Sequence, residues 1–169
     1  MNGWWLEVWT TIQQEFSDIP DAAELTRTCV RLFMAVLLGG ILGYERELAG
    51  SSAGFRTHML VALGATVFVL VPLQAGTNMN DMSRVLQGVI AGIGFLGAGA
   101  IIKLSQEQEI KGLTTAASIW LTAAIGIAIG MGRELTAVLS TVFALFILFL
   151  ARIDKGNGAA AADKKEPGQ

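Results

Sequence analysis

Residues 113–132, with the sequence LTTAASIWLTAAIGIAIGMG, form a run of 20 residues that contains no charged side chain. A helix of about 20 mostly apolar residues is long enough to cross the hydrocarbon core of a bilayer, because each residue adds about 1.5 Å. This stretch therefore predicts a membrane-spanning helix. Three more uncharged stretches and one weaker stretch predict further spans: residues 59–73, 85–102 and 135–151, and residues 25–44.

The composition agrees with a membrane protein. Hydrophobic residues make up 53% of the 169-residue chain, charged residues make up 15%, and there are 20 glycines. Glycine is frequent in membrane helices because small residues let helix backbones approach closely. The predicted fold is all-α, a polytopic bundle of five transmembrane helices (residues 25–151), with an interfacial segment before it (1–24) and a disordered cytoplasmic tail after it (152–169).

A short amphipathic helix is predicted within the first segment. Its apolar side chains mostly recur every three or four residues, as on one face of a helix: Trp5, Val8, Trp9, Ile12 and Phe16. Because tryptophan prefers the headgroup level of a bilayer, we expect this helix to lie along the outer interface. Asp21, followed by Glu24, predicts the start of the next helix.

The positions of Lys and Arg predict the orientation of the bundle. With five spans, eight basic residues fall on the side of the C-terminus and four on the other side. Cytoplasmic loops carry an excess of Lys and Arg, so the N-terminus is predicted outside and the C-terminus inside the bacterial inner membrane. Without the first span the counts become ten and two, and the C-terminus stays inside. The acidic start of the chain favours five spans over four.

The third predicted span has an unusual density of glycine. Gly88 and Gly92 form a pair of small residues four apart, as do Gly94 and Ala98, and such pairs permit close helix crossings. The predicted contact face comprises five glycines: Gly88, Gly92, Gly94, Gly97 and Gly99. We expect this face to pack within the chain or in a homo-oligomer, with a dimer favoured. A glycine-lined path for a small solute is the alternative.

Polar side chains in and beside the spans are candidate functional residues. Arg31 lies more than one turn inside the first span, where an arginine either extends to the interface or faces protein or a wet cavity. Glu45, Arg46 and Arg56 are expected to form an ion-paired cytoplasmic platform in a polar loop. The remaining polar candidates are Thr57, Gln87, Lys111, Thr114 and Thr115.

Several classes of chemistry have no signature in this sequence. There is no phosphate-binding loop, no dinucleotide fingerprint and no Gly-x-Ser-x-Gly context, so an enzyme is not expected. Cys29 is the single cysteine and His58 the single histidine, so neither a disulfide within the chain nor a metal cluster is expected. No cofactor, metal or nucleic acid is predicted, since a basic stripe with aromatic residues is also missing. The four strong spans contain no carboxylate, the ligand that Mg²⁺ prefers.

Five blocks of the sequence resemble the MgtC/SapB family of bacterial inner-membrane proteins, in the order and spacing expected of its members. The blocks are RLFMA (31–35), ERE (45–47), AGFRTHMLVALGA (53–65), GIGFLGAG (92–99) and KGLTTAASIW (111–120). The resemblance covers residues 25 to 150 and implies a five-span bundle in the cytoplasmic membrane.

The resemblance also implies a physiological setting. The family is associated with growth in low magnesium and, in intracellular pathogens, with survival in macrophages. Its best-studied members look like regulators of other membrane proteins, including the proton-driven ATP synthase, and carry a soluble C-terminal domain of ACT type. Here only residues 152–169 follow the last predicted span. This chain is therefore expected to be a short member without that domain.

Two functional hypotheses follow. The first is a non-enzymatic protein of magnesium and pH homeostasis that acts through helix contacts with itself, with membrane lipid or with another membrane protein complex. The second is a transporter or channel for a small ion or solute, suggested by polar groups in otherwise apolar spans. These groups are Arg31, Gln87, Thr114, Thr115 and Ser118, with Glu45 as the acid nearest to them in the sequence.

Overall fold

The computed structural model describes residues 3–15, 21–102 and 112–163, and this part of the chain consists of helices and short connections. Helix α1 is amphipathic and has no buried residue. Its aromatic and aliphatic side chains are exposed, as expected for a helix that lies along a membrane surface. The six helices are α1 (Gly3–Glu15), α2 (Ala22–Leu48), α3 (Phe55–Gln74), α4 (Met79–Ile102), α5 (Leu113–Gly130) and α6 (Glu134–Asp163).

The all-α membrane fold is confirmed by the lengths and composition of the helices. Four of the described helices are long and apolar enough to span a bilayer: Ala22–Leu48, Phe55–Gln74, Met79–Ile101 and Leu113–Gly130. The apolar part of α6, Glu134–Leu150, is shorter, and its 17 residues lie at the lower end of the range for a spanning helix. The orientation predicted from the basic residues stays a prediction.

The helix ends are better defined than the sequence indicated. Asp21 caps α2 as predicted, because its carboxylate accepts a hydrogen bond from the Glu24 amide at 2.7 Å. The polar stretch 45–58, predicted as a loop, is mostly helical: Glu45, Arg46 and Glu47 belong to α2, and α3 begins at Phe55. Helix α2 continues through these residues because Glu, Arg and Leu are good helix formers.

The last helix also extends further than predicted. Helix α6 continues to Asp163, so the structure describes residues 152–163 as helical, where the sequence predicted a disordered tail. Residues 159–162 are four consecutive alanines, and alanine has the highest intrinsic helix propensity. Residues 164–169 lie outside the described residues.

Helix α3 packs between α2 and α5, and α5 contacts all four of the other long helices. Helix α6 packs against α2 and α5, whereas α4 packs against α5 and, less extensively, α3. The buried hydrophobic cluster joins α2, α3, α5 and α6, and its members are Ala35, Leu38, Leu42, Ala62, Ile125, Ile129, Ala137, Ala144 and Leu148. The cluster contains no residue of α4.

Candidate functional site

A pair of glycines on α2 makes very close contacts with α3. A Cβ atom added at Gly39 would lie 2.7 Å from the carbonyl oxygen of His58, and one added at Gly43 would lie 2.7 Å from the Cα of Phe55. Both distances are shorter than the contact distances that real Cβ atoms make with their neighbours. The backbone of α2 therefore approaches α3 closely only because these two positions carry no side chain.

Helix α5 meets the other side of α3 in the same way. A Cβ added at Gly126 would overlap the carbonyl oxygen of Ala62, and one added at Gly130 would lie 2.8 Å from the carbonyl oxygen of Thr66. The Thr66 hydroxyl also donates a hydrogen bond to the carbonyl oxygen of Gly126 at 2.9 Å. Both glycine pairs have the four-residue spacing of small-residue contacts. That spacing was available in the sequence, although the prediction concentrated on the third span.

A polar network is buried where α2 ends and where α3 and α5 begin. The side chain of His58 is fully buried, with its Nδ1 atom 2.9 Å from the carbonyl oxygen of Gly54 and its Nε2 atom 3.2 Å from Ser118 Oγ. Ser118 Oγ lies 2.8 Å from the carbonyl oxygen of Thr115, and Thr115 Oγ1 lies 2.9 Å from Ser51 Oγ. We call these five residues the His58 network. It joins the α2–α3 connection to both α3 and α5.

An ion pair lies beside this network in the last turn of α2. The guanidinium of Arg46 donates two hydrogen bonds to the carboxylate of Glu45, at 2.6 and 2.8 Å, and Arg46 is buried. Glu47 accepts a hydrogen bond from the amide of Phe55 at 2.9 Å and so satisfies one free N–H at the start of α3. Arg56 is exposed and forms no ion pair with the described residues. The predicted platform is thus reduced to Glu45 and Arg46.

Arg31 occupies the opposite end of the bundle and contacts the turn between α5 and α6. Its Nη1 atom donates to the carbonyl oxygen of Gly130 at 3.3 Å, and its Nε atom lies 3.5 Å from the carboxylate of Glu134. Gly132 adopts a positive φ of 72°, which makes this turn tight and brings Glu134 beside the arginine. For Arg31 the sequence left two interpretations, extension to the interface or a position facing protein or a wet cavity. The structure shows contact with protein. Its acidic neighbour is Glu134 and not Glu45.

The glycines of α4 do not pack in the way that those of α2 and α5 do. A Cβ added at Gly88, Gly92, Gly94 or Gly99 would meet no atom within 4 Å, whereas one added at Gly97 would lie 3.6 Å from the Cβ of Ala116 on α5. At about 100° per residue, the five glycines occupy two sides of α4 and do not form one face. Gly88 and Gly92 line an apolar groove of about 540 Å³ between α4 and α3, here called the α3–α4 groove.

The other predicted site residues are dispersed. Thr115 belongs to the His58 network, and Thr114 lines a separate cavity of about 230 Å³ between α2, α5 and α6. Gln87 and Thr57 are exposed and join neither feature. Lys111 lies outside the described residues. Ser118 belongs to the network and also lines the cavity. It contacts His58, which lies 60 positions earlier, and no spacing rule in the sequence predicts this contact.

Within residues 3–15, 21–101 and 112–150, where side chains are described, no group of three or more His, Cys, Asp or Glu residues could hold a metal ion. The buried polar side chains of these ranges are Arg46, His58, Thr66, Thr115, Ser118, Thr122 and Thr141. None of them carries a carboxylate, so this part of the core offers hydroxyl, imidazole and carbonyl groups to a solute.

Comparison with known proteins identifies one family. The MgtC family model matches residues 32–155. Protein SrpB of Synechococcus elongatus is 45% identical over 129 residues, which cover 70% of this chain and 71% of SrpB. YhiD of Escherichia coli K12, provisionally named a magnesium transporter, is 40% identical over 126 residues, 70% of this chain and 58% of YhiD. Protein MgtC of Brucella abortus is 40% identical over 128 residues, 76% of this chain and 52% of that protein.

The matched region includes most of α2 and α6 and all of α3, α4 and α5, and it therefore contains the glycine crossings and the His58 network. The match spans just over half the length of YhiD and of the Brucella MgtC. No solved structure matches the chain significantly. The family match, together with helices long enough to cross a bilayer, confirms the resemblance found in the sequence. The chain belongs to the MgtC family and is a multi-pass membrane protein.

Proposed function

We propose that this protein contributes to magnesium and pH homeostasis in the bacterial inner membrane by associating with other membrane proteins through the α3–α4 groove. The observation that carries the proposal is the exposure of Gly88 and Gly92 in an apolar groove of about 540 Å³. The occupant is a transmembrane helix of a second copy, as in a homodimer, or of a different membrane protein.

The interior of the same bundle supports this use of the groove. The pairs Gly39/Gly43 and Gly126/Gly130 have a spacing of four residues, and each pair receives the backbone of α3. Gly88 and Gly92 have the same spacing on α4, and none of the described helices lies against them. Lipid tails are as apolar as leucine, so helix association in a membrane relies on close packing, which small residues permit. A glycine pair with no helix packed against it can therefore accept a helix from another protein chain.

The magnesium part of the proposal comes from the relatives. YhiD is provisionally named a magnesium transporter, and the resemblance to the MgtC/SapB family implies growth in low magnesium and the regulation of other membrane proteins. The described core agrees better with regulation than with carriage, because its buried polar groups include no carboxylate for Mg²⁺.

A transporter is the second candidate, favoured by the name of YhiD and by the cavity that Thr114 and Ser118 line. Proteoliposomes that contain correctly inserted protein distinguish the two functions. Flux of Mg²⁺ or protons above that of empty liposomes supports transport. No stimulated flux removes this candidate and leaves association.

Two variants of α4 test the association. Gly92→Leu fills the α3–α4 groove, whereas Gly94→Leu makes the same change on the other side of the helix, where no atom lies within 4 Å. Self-association is measured in liposomes by energy transfer between copies labelled at Cys29, the only cysteine of the chain. Function is measured as growth of a deletion strain in limiting magnesium.

We expect Gly92→Leu to weaken association about tenfold, which corresponds to about 1.4 kcal/mol, and to impair growth, while Gly94→Leu changes neither. Impaired growth with normal energy transfer identifies a different membrane protein as the occupant. Normal energy transfer together with normal growth in the Gly92→Leu variant contradicts the proposal.

A further inference from the structure

His58 is the only histidine in the chain and is completely buried in a bundle that spans a membrane. An ionisable side chain in such a place is costly and is usually functional. It touches no metal cluster in the described residues, and the proposed association through α4 does not involve it. The contacts of its two ring nitrogens indicate what it does.

The His58 network contains three contacts that depend on the protonation of the ring. They are Nδ1 to the carbonyl oxygen of Gly54 at 2.9 Å, Nε2 to Ser118 Oγ at 3.2 Å, and Ser118 Oγ to the carbonyl oxygen of Thr115 at 2.8 Å. The two carbonyl oxygens can only accept. The serine hydroxyl has one hydrogen, and a neutral imidazole has one N–H.

A neutral ring therefore supplies two hydrogens for three contacts. If Nδ1 carries the proton, the Ser118 hydroxyl must choose between Nε2 and the carbonyl oxygen of Thr115. If Nε2 carries it, Nδ1 faces the carbonyl oxygen of Gly54 with no hydrogen between them. A doubly protonated ring places one hydrogen in every contact: both nitrogens donate, and Ser118 accepts from Nε2 while it donates to Thr115.

The surroundings of His58 are compatible with reversible protonation of its ring. At this end of the bundle the described charged side chains are Glu45, Arg46 and Glu47 from α2 and Arg56 from α3, whereas α5 contributes hydroxyl groups. Glu45 and Arg46 pair with each other, Glu47 binds the Phe55 amide, and Arg56 is exposed. Within residues 79–101 and 134–150, the charged residues of α4 and α6 are Asp81, Arg84 and Glu134, which lie in the first two turns of those helices, at the opposite end.

We infer that His58 is a proton-binding site whose occupancy controls how firmly α3 is attached to α5. When the ring binds its second proton, its two N–H groups link the start of α3 to Ser118. When it releases that proton, one of the three contacts loses its hydrogen, and the α3–α5 contact loosens at the end predicted to be cytoplasmic. The ligand is a proton, and the effect is a change in packing.

The single histidine makes a direct measurement possible. Full-length protein labelled with ¹⁵N-histidine in lipid bilayers gives signals from the two ring nitrogens of His58 alone, and solid-state NMR distinguishes protonated from unprotonated nitrogens. Between about pH 8 and pH 4, a range that includes the usual titration of histidine and extends below it, we expect the ring to change from one protonated nitrogen to two. The protection factors of the backbone amides at the start of α3, which correct for the slower intrinsic exchange at lower pH, rise over the same range.

Ser118→Ala removes the acceptor for Nε2–H, and we expect the ratio of doubly to singly protonated rings to fall about fivefold at a given pH, the effect of one hydrogen bond. Thr122→Val is the matched control, because Thr122 is buried on the same helix and its hydroxyl donates only to the carbonyl oxygen of Ser118. His58→Gln removes the change of these protection factors with pH.

Two results would overturn the inference. One is a ring that stays singly protonated throughout this pH range. The other is a protonation ratio that is the same in the wild type and in Ser118→Ala.

Discussion

Helices α4 and α5 both carry a pair of glycines four residues apart, yet the two pairs have different surroundings. In the most apolar part of α5, 50% of the residues are buried, against 6% in α4. Gly126 and Gly130 of α5 lie against the backbone of α3, whereas Gly88 and Gly92 of α4 border the α3–α4 groove. A pair of glycines four residues apart thus marks a surface that permits close approach, and the neighbouring helix determines whether the approach occurs within the chain.

The same comparison separates stability from function. Glycines that already receive α3 are needed to assemble the bundle, so changes there act on folding. Glycines that no helix of the chain covers can change without loss of folding, so changes there act on association. Substitutions of the same type on the two helices therefore test the distinction directly.

The largest effect is expected at Gly126. In the Gly126→Ala variant the new methyl group overlaps the carbonyl oxygen of Ala62, and α3 and α5 must separate to accommodate it. We expect the free energy of unfolding to fall by about 3 kcal/mol, the upper range for overpacking a core. Chemical denaturation in detergent micelles, followed by circular dichroism, measures the change. A variant as stable as the wild type would show that α3 and α5 do not approach this closely.

Part of this arrangement could be predicted from the sequence. The apolar stretches predicted the spans, and Asp21 predicted the start of α2, because lipid and helix capping impose strong local rules. The four-residue spacing of Gly39 and Gly43 and of Gly126 and Gly130 was also visible. Spacing does not reveal which helix lies against a glycine pair. The glycine density therefore placed the predicted contact face on α4, the candidate span with the smallest buried share.

The candidate site was harder to predict for the same reason. The pairing of Glu45 with Arg46 follows from adjacent residues, and it was expected. The contacts of His58 with Ser118 and of Arg31 with Glu134 join distant parts of the chain, and they depend on how α2, α3 and α5 are arranged around one another. A sequence pattern along one helix carries no information on such pairs.

A smaller effect is expected for Thr66, which adds a hydrogen bond to the glycine crossing. Thr66→Val removes the bonds from its hydroxyl to the carbonyl oxygens of Ala62 and Gly126 and keeps the shape of the side chain. We expect a loss of about 0.6 kcal/mol, typical of a hydrogen bond between membrane helices, because both carbonyl groups keep their helical partners.

Thr141→Val is the control for this change. Thr141 is also buried, and its hydroxyl donates within α6 to the carbonyl oxygen of Ala137. Measured in the same denaturation experiment, it should lower stability less than Thr66→Val. Equal losses would mean that the contact between α3 and α5 depends on packing alone.

The smallest effect, and the one opposite in sign, is expected at Gly88. In Gly88→Ala the added methyl group meets no atom within 4 Å, and alanine favours a helix over glycine by up to about 1 kcal/mol. We expect stability in dilute detergent to stay the same or to rise by a few tenths of a kcal/mol on this scale. If stability instead falls, and falls more at high protein concentration, a second copy covers Gly88, because stabilisation by a partner depends on concentration. The contrast between α4 and α5 would then separate contacts between chains from contacts within one.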